Sequence, residues 1–179
     1  MIYVFLANGF EETEAIAPID IMRRCRLEVL TVGVGGKIIT SSHGIPVTCD
    51  ITADEIKLDD NLQLILLPGG LKGTQNLEAS AEVSAAIDFC VKTDRYIAAI
   101  CAAPTILGKR GLLAGRKAIC YQGMEGDLNG AVVTHEPAVC DGRFITSRGA
   151  GASIAFGLKI AEELISPEKS AEIAAQIMC

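Results

Sequence analysis

The chain has no tryptophan, two histidines and only 4% aromatic residues. A core built without rings must be filled by Ile, Leu, Val and Ala, as in parallel sheets covered by helices. Positive charge is not in excess: 16 Lys and Arg stand against 22 Asp and Glu, a net charge of −6. That gives no basic footprint for nucleic acid or an anionic membrane. The seven cysteines, Cys25, Cys49, Cys90, Cys101, Cys120, Cys140 and Cys179, are odd in number, widely spaced and without a C-x-x-C. A disulfide framework and a zinc site are both disfavoured, and reduced, buried thiols in a cytoplasmic protein are expected. Long hydrophobic runs are missing as well, none reaching the ~18 residues of a membrane span. The opening Met1-Ile2-Tyr3-Val4-Phe5-Leu6-Ala7 has no basic flank and stops at Asn8-Gly9, so it reads as a first strand rather than a signal peptide. With no repeats, low-complexity tracts or long linkers, 179 residues imply one domain over 1–179.

What is present is alternation. Apolar runs at Ile2 to Ala7, Leu27 to Gly33, Leu62 to Leu67, Tyr96 to Ile100, Lys117 to Tyr121, Val132-Val133 and Arg143 to Ser147 read as strands. Between and after them, helices are expected over Glu11 to Arg24, Leu77 to Thr93, from Ala103, Ala152 to Leu164, and Ser166-Pro167 to about Met178. In the first, Ile16, Ile19, Ile21 and Met22 supply the apolar positions, and Pro18 is expected to kink it or mark its start. Val34 to Asp50, with its glycines and Pro46, reads as small strands or a hairpin at an edge. Strands alternating with helices imply βαβ units and a parallel sheet covered on both faces.

In such sheets ligands bind beyond the carboxyl ends of the strands, and three loops there carry chemistry. Cys101 follows the Tyr96 to Ile100 strand and precedes a helix. A cysteine on that bend is presented over the sheet as a nucleophile, with a helix N-terminus favouring thiolate. Asn8-Gly9-Phe10-Glu11-Glu12-Thr13-Glu14 crowds three acids after a strand. They serve as helix caps, or one turns inward and holds its proton. Leu67-Pro68-Gly69-Gly70 makes either a simple tight turn or one that aims a backbone N–H into a cleft for an oxyanion. Gly149-Ala150-Gly151 approaches the same cleft, and Arg148 before it is expected to be an ordinary salt-bridge partner rather than an anion contact.

These loops in this order resemble the ThiJ/PfpI superfamily, specifically its Parkinson-linked protein deglycase and chaperone branch. The resemblance runs from Ile2 to Leu164. It rests on Glu11-Glu12-Thr13-Glu14 with Pro18-Ile19-Asp20-Ile21-Met22-Arg23-Arg24, Leu67-Pro68-Gly69-Gly70 with Gln75-Asn76-Leu77, Ala98-Ala99-Ile100-Cys101-Ala102-Ala103-Pro104-Thr105, and Thr146-Ser147-Arg148-Gly149. It implies an α/β fold, a flavodoxin-like three-layer α/β/α sandwich with a mostly parallel central sheet, usually in a homodimer. It implies that Cys101 is the low-pKa, oxidation-sensitive thiol and that Glu14 hydrogen-bonds it as a protonated acid. Gly70 and Ala102 match the backbone donors of the cleft.

Departures narrow the expected activity. Ala103 stands where the pattern often has glycine, and Tyr121 where some members carry an acid/base histidine; His43 and His135 do not fill that slot, and His43 is placed at a subunit interface. Ala102 replaces the histidine that follows the cysteine in protease-type members, which disfavours proteolysis. His135-Glu136-Pro137 has the wrong order for the His-x-Glu of glutamine amidotransferases. The resemblance therefore implies a cofactor-independent, metal-free enzyme of glyoxalase or deglycase type. It acts on a small carbonyl substrate in stress protection, without nucleic-acid or membrane partners. The alternative is a redox-sensing chaperone whose cysteine is oxidised to sulfinic acid without turnover. Thiamine-precursor chemistry has no support in these residues.

Overall fold

Every residue of Ile2–Ala7 is buried, and its side chains divide by parity. Ile2, Val4 and Leu6 enter one apolar layer, and Tyr3, Phe5 and Ala7 enter another. This period of two is that of a strand buried on both faces, and it sets the plan of the molecule. The structure is a computed structural model and describes residues 1–179. Its strands are β1 (Ile2–Ala7), β2 (Val29–Val34), β3 (Ile38–Thr40), β4 (Pro46–Thr48), β5 (Ile51–Thr52), β6 (Leu64–Leu67), β7 (Tyr96–Ile100), β8 (Lys117–Ala118), β9 (Val132–Val133), β10 (Ala138–Asp141) and β11 (Phe144–Ser147). Its helices are α1 (Glu12–Arg24), α2 (Leu71–Glu78), α3 (Ala81–Lys92), α4 (Pro104–Lys109), α5 (Ser153–Leu164) and α6 (Pro167–Gln176).

The main sheet has the order β10-β11-β7-β6-β1-β2-β5. All its pairs are parallel except β10 with β11. Ala15, Ile19 and Met22 of α1, with Phe156 and Ile160 of α5, cover one face. Leu77 of α2, Val83, Ala86 and Ile87 of α3, and Ile106 and Leu107 of α4 cover the other. This is the flavodoxin-like three-layer sandwich. The chain leaves β1 for β2 on one side, then crosses back to β6 on the other. The crevice between the carboxyl ends of β1 and β6 is thus the topological switch point, where α/β sheets bind ligands.

Several elements depart from expectation. The helix foreseen over Leu77 to Thr93 is two, α2 and α3, because the Ser80 hydroxyl caps a new start by accepting from the Val83 N–H. Ile16 faces outward, 45% exposed. Helix α1 runs through Pro18 and does not begin there. A Cβ on Gly157 of α5 would stand 3.0 Å from the Pro18 Cα, so the two helices meet by virtue of that glycine's missing side chain. The Lys117 to Tyr121 run shortens to the two residues of β8, and β10 was not foreseen. The Val34 to Asp50 region does fold into a hairpin, β3 with β4, as its own two-stranded sheet.

Candidate active site

The three acids after β1 have three different fates. Glu11 caps α1, its carboxylate accepting from the Glu14 N–H at 2.7 Å. Glu12 turns outward, accepting from the Ser42 hydroxyl at 3.3 Å and pairing with His43 Nδ1 at 2.8 Å. Two positions on, about 200° around the helix, Glu14 turns inward and is 1% exposed. Its Oε2 accepts from the Gly69 N–H at 2.9 Å. The Ala150 N–H and the Cys101 sulfur complete its partners. Burial pushes the Glu14 carboxyl up from 4.5 to about 7, aided by the charge of Glu11 and opposed by these hydrogen bonds.

Cys101 sits on the turn from β7 into α4 with φ of +64°, a left-handed conformation that non-glycine residues seldom adopt. Its N–H donates to the Ser147 carbonyl at the end of β11 at 2.9 Å, and its carbonyl accepts from the Tyr121 N–H at 2.7 Å. Two neighbouring segments therefore hold the bend that the backbone alone would relax. The thiol is half-buried. The N–H groups of Gly70 and Ala102 lie beside the sulfur and favour its charged form.

The proton balance differs from the expected depressed thiol. Burial pushes the Cys101 thiol up to about 12, and the Glu14 carboxylate adds to the rise by its charge and its hydrogen bond. The Gly70 and Ala102 N–H groups oppose that rise. The two groups behave as one acid system. When Glu14 is neutral, its like charge is gone and its O–H can donate to sulfur, so the thiolate is favoured only in company with a protonated Glu14.

Gly69 is the residue that sequence reasoning missed. A Cβ there would meet the Glu14 carboxylate and stand 2.5 Å from the Cys101 Cβ. Its bare Cα lets acid and sulfur meet, and its N–H orients the acid. Gly70, at φ of +83°, turns the next N–H into the cleft. The only signal for Gly69 was the Gly69-Gly70 pair itself. Ala150 lies in the segment expected to approach the cleft, whereas the part played by Ser147 was unrecognised, because it contributes a backbone atom that any residue type could supply.

The sulfur opens into a cavity of about 470 Å³ bounded by Leu71, Ala102, Tyr121 and Met124. Arg148 forms no ion pair, contrary to expectation; it lines a separate cavity of about 360 Å³ with His135, Glu125 and Cys120. All seven cysteines are free. One grouping has metal-ligand chemistry: Glu11, Glu12 and His43 offer atoms within 4.8 Å of one another. It lies at the N-terminus of α1, whose dipole opposes a cation. No helix is long and apolar enough to cross a membrane.

A doubly wound sheet with a cysteine on a strained strand-to-helix turn, facing a buried acid from the first helix, defines a class of cysteine-centred α/β proteins. Residues 1–163 match the DJ-1/PfpI family, and the chain belongs to that family. It is 37% identical to protein dj-1beta of Drosophila melanogaster over 174 residues, covering 96% of this chain and 92% of that protein. The crystal structure of Drosophila melanogaster DJ-1beta superposes with a TM-score of 0.92 at 35% identity, covering 99% of this chain and 96% of the other. Glutathione-independent glyoxalase DJR-1.2 of Caenorhabditis elegans is 31% identical over 162 residues, 89% of this chain and 86% of that protein.

Proposed function

We propose that the protein is a cofactor-independent enzyme that converts small reactive carbonyls, such as methylglyoxal, into hydroxy acids. One observation carries this reading: the buried Glu14 carboxyl, held by the Gly69 N–H, and the Cys101 side chain close on the same bare Gly69 Cα, with the Gly70 and Ala102 N–H groups beside the sulfur. A relative named as a glutathione-independent glyoxalase supports it.

In this mechanism the Cys101 thiolate attacks the aldehyde carbon and its C–S bond forms. The carbonyl oxygen becomes an oxyanion, held by the Gly70 and Ala102 N–H groups and then protonated by Glu14. The resulting Glu14 carboxylate removes the proton on the former aldehyde carbon and returns it to the former ketone carbon, while the hydroxyl proton of the adduct passes to the former ketone oxygen. One carbon is oxidised and its neighbour reduced, so no external oxidant enters. The product is a thioester of a 2-hydroxy acid. Water attacks it, the C–S bond breaks, lactate leaves and Cys101 is restored. The working unit is a homodimer and the substrate partner a small carbonyl compound.

The test is lactate formation from methylglyoxal by the parent protein and by Cys101→Ser. Turnover above the variant is expected; equal, background-level lactate overturns the enzyme reading. The same geometry favours a second role. A neutral acid and two N–H donors around a half-buried sulfur would also stabilise a sulfinate after peroxide oxidation. Mass spectrometry after mild peroxide checks this: oxygen should add to Cys101 faster than to the other six thiols, and equal rates would sink the sensor role.

A further inference from the structure

A cavity larger than the one at Cys101 lies at the other end of the sheet. About 570 Å³ opens between the last turn of α3, the start of β7, the loop around Gly111 to Arg116, and the β10–β11 turn. That volume is in the range of small-molecule sites, roughly 300–1,000 Å³. Its charged groups are three guanidiniums, Arg95, Arg116 and Arg143, and one carboxylate, Asp94. Each guanidinium also has a carboxylate within 4.0 Å: Asp94 at 2.8 Å from Arg143, Asp60 at 3.5 Å from Arg95 and Asp141 at 3.7 Å from Arg116.

The three arginines are not equally engaged. Arg143 donates from Nε and Nη2 to Asp94 Oδ2, at 3.0 and 2.8 Å, and stacks on the Tyr96 ring. That pair neutralises itself. Arg116 is held flat against the Phe144 ring, its carbon 5.1 Å from the ring centre. Its carboxylate neighbour Asp141 is 3.7 Å away, beyond hydrogen-bonding distance. Gly142, at φ of +63°, leaves the space that Arg116 occupies, since a Cβ there would stand 2.6 Å from Nη1. Arg95 reaches the Asp60 carbonyl through Nη2 at 3.3 Å and pairs with the Asp60 carboxylate at 3.5 Å, but its Nε–H is buried and has no partner. A buried donor left unpaired is costly, and an incoming acceptor would relieve that cost. Between these two forks the wall is apolar, with Ile97, Leu112 and Phe144.

We infer that this cavity is a binding site for a small phosphate monoester carrying an apolar group. Phosphate is a dianion whose terminal oxygens accept from guanidinium forks, and the Asp60 and Asp141 carboxylates it would displace stand 3.5 and 3.7 Å from theirs. The ester's apolar group lies against Ile97 and Leu112. The site is independent of Cys101 and needs none of its chemistry.

The experiment titrates phenyl phosphate into protein labelled with ¹⁵N-arginine and follows the arginine Nε–H resonances. The Arg95 and Arg116 signals should shift saturably, with the same affinity in the Cys101→Ser background. Arg116→Gln should weaken binding at least about tenfold, as expected for loss of a charge-assisted hydrogen bond. Arg95→Lys, which keeps the charge and removes the Nε–H fork, should weaken it similarly. Arg24→Gln, on the surface of α1, should leave it unchanged. The proposal is overturned by no saturation up to about 10 mM phenyl phosphate, or by shifts that sodium chloride reproduces. Benzoate binding as tightly, or both cavity variants binding like the parent, would overturn it too.

Discussion

The two ends of the central sheet solve opposite problems with different parts of the chain. At the carboxyl ends of β1, β6 and β7, backbone groups dominate: the N–H groups of Gly69, Gly70, Ala102 and Ala150 surround one acid and one sulfur. At the amino end of β7, long side chains dominate, and guanidiniums line an apolar hollow. The first end is assembled by close approach, with a glycine wherever two segments nearly touch. The second is assembled by reach, with arginines laid over Tyr96 and Phe144. A backbone-built site tolerates almost no added atoms, whereas a side-chain-built site tolerates many changes to stability and few to charge.

That contrast can be broken by substitution, and the largest effect should fall on turnover. Cys101→Ser should lower lactate formation from methylglyoxal at least about 100-fold, while Arg116→Gln leaves it at the parent rate. Equal losses in both would mean the two ends are not separate. Next in size is Gly69→Ala. Its methyl meets the Cys101 Cβ and the Ile100 carbonyl, and urea denaturation should show a loss of about 3 kcal/mol, the upper end of overpacking costs. Gly126→Ala, which meets nothing within 4 Å, is the control and should be near neutral.

Glu14 supplies a comparable effect that depends on pH. Its folded pKa of about 7 lies above its ordinary 4.5, so between these values the folded protein holds a proton that the unfolded chain has released. Stability is therefore fully present below about 4.5 and declines as pH rises through about 7. The decline is on the order of 3 kcal/mol. Glu14→Gln should flatten that slope in denaturant midpoints measured across this range; an unchanged slope would show that Glu14 is not the group responsible. The smallest effect belongs to the amino end. Asp94→Asn breaks a solvent-exposed pair with Arg143 and should change stability by less than about 1 kcal/mol, a value that thermal melts can bound.

The same contrast explains what could be read from the residues alone. Strands β1, β6 and β7 are uninterrupted apolar runs, and burial on both faces produces such runs, so they were legible. The break between α2 and α3 was not, because Val83, Ala86, Ile87 and Cys90 keep a helical period and only the Ser80 cap marks where it starts anew. Cys101 was legible from its place between an apolar strand and Pro104. Which of three glutamates faced it was settled by family resemblance, since the 100° step per residue fixes relative directions but not the inward one. The raised thiol pKa was invisible because it comes first from burial in the folded cleft and then from Glu14, 87 residues away in sequence (101 − 14). The arginine hollow was invisible for a related reason: Arg95, Arg116 and Arg143 are far apart along the chain and each alone reads as a solvated charge.

The Cys101 bend is tied on one side to Ser147 and on the other to Tyr121. A chain still being synthesised therefore carries the sulfur long before it carries the tether from β11. Until that last parallel strand docks, one of the two hydrogen bonds that hold the bend has no acceptor. Chemical competence consequently arrives only when the fold closes, and a nick or truncation ahead of residue 147 should leave a protein with its cysteine intact and its chemistry absent.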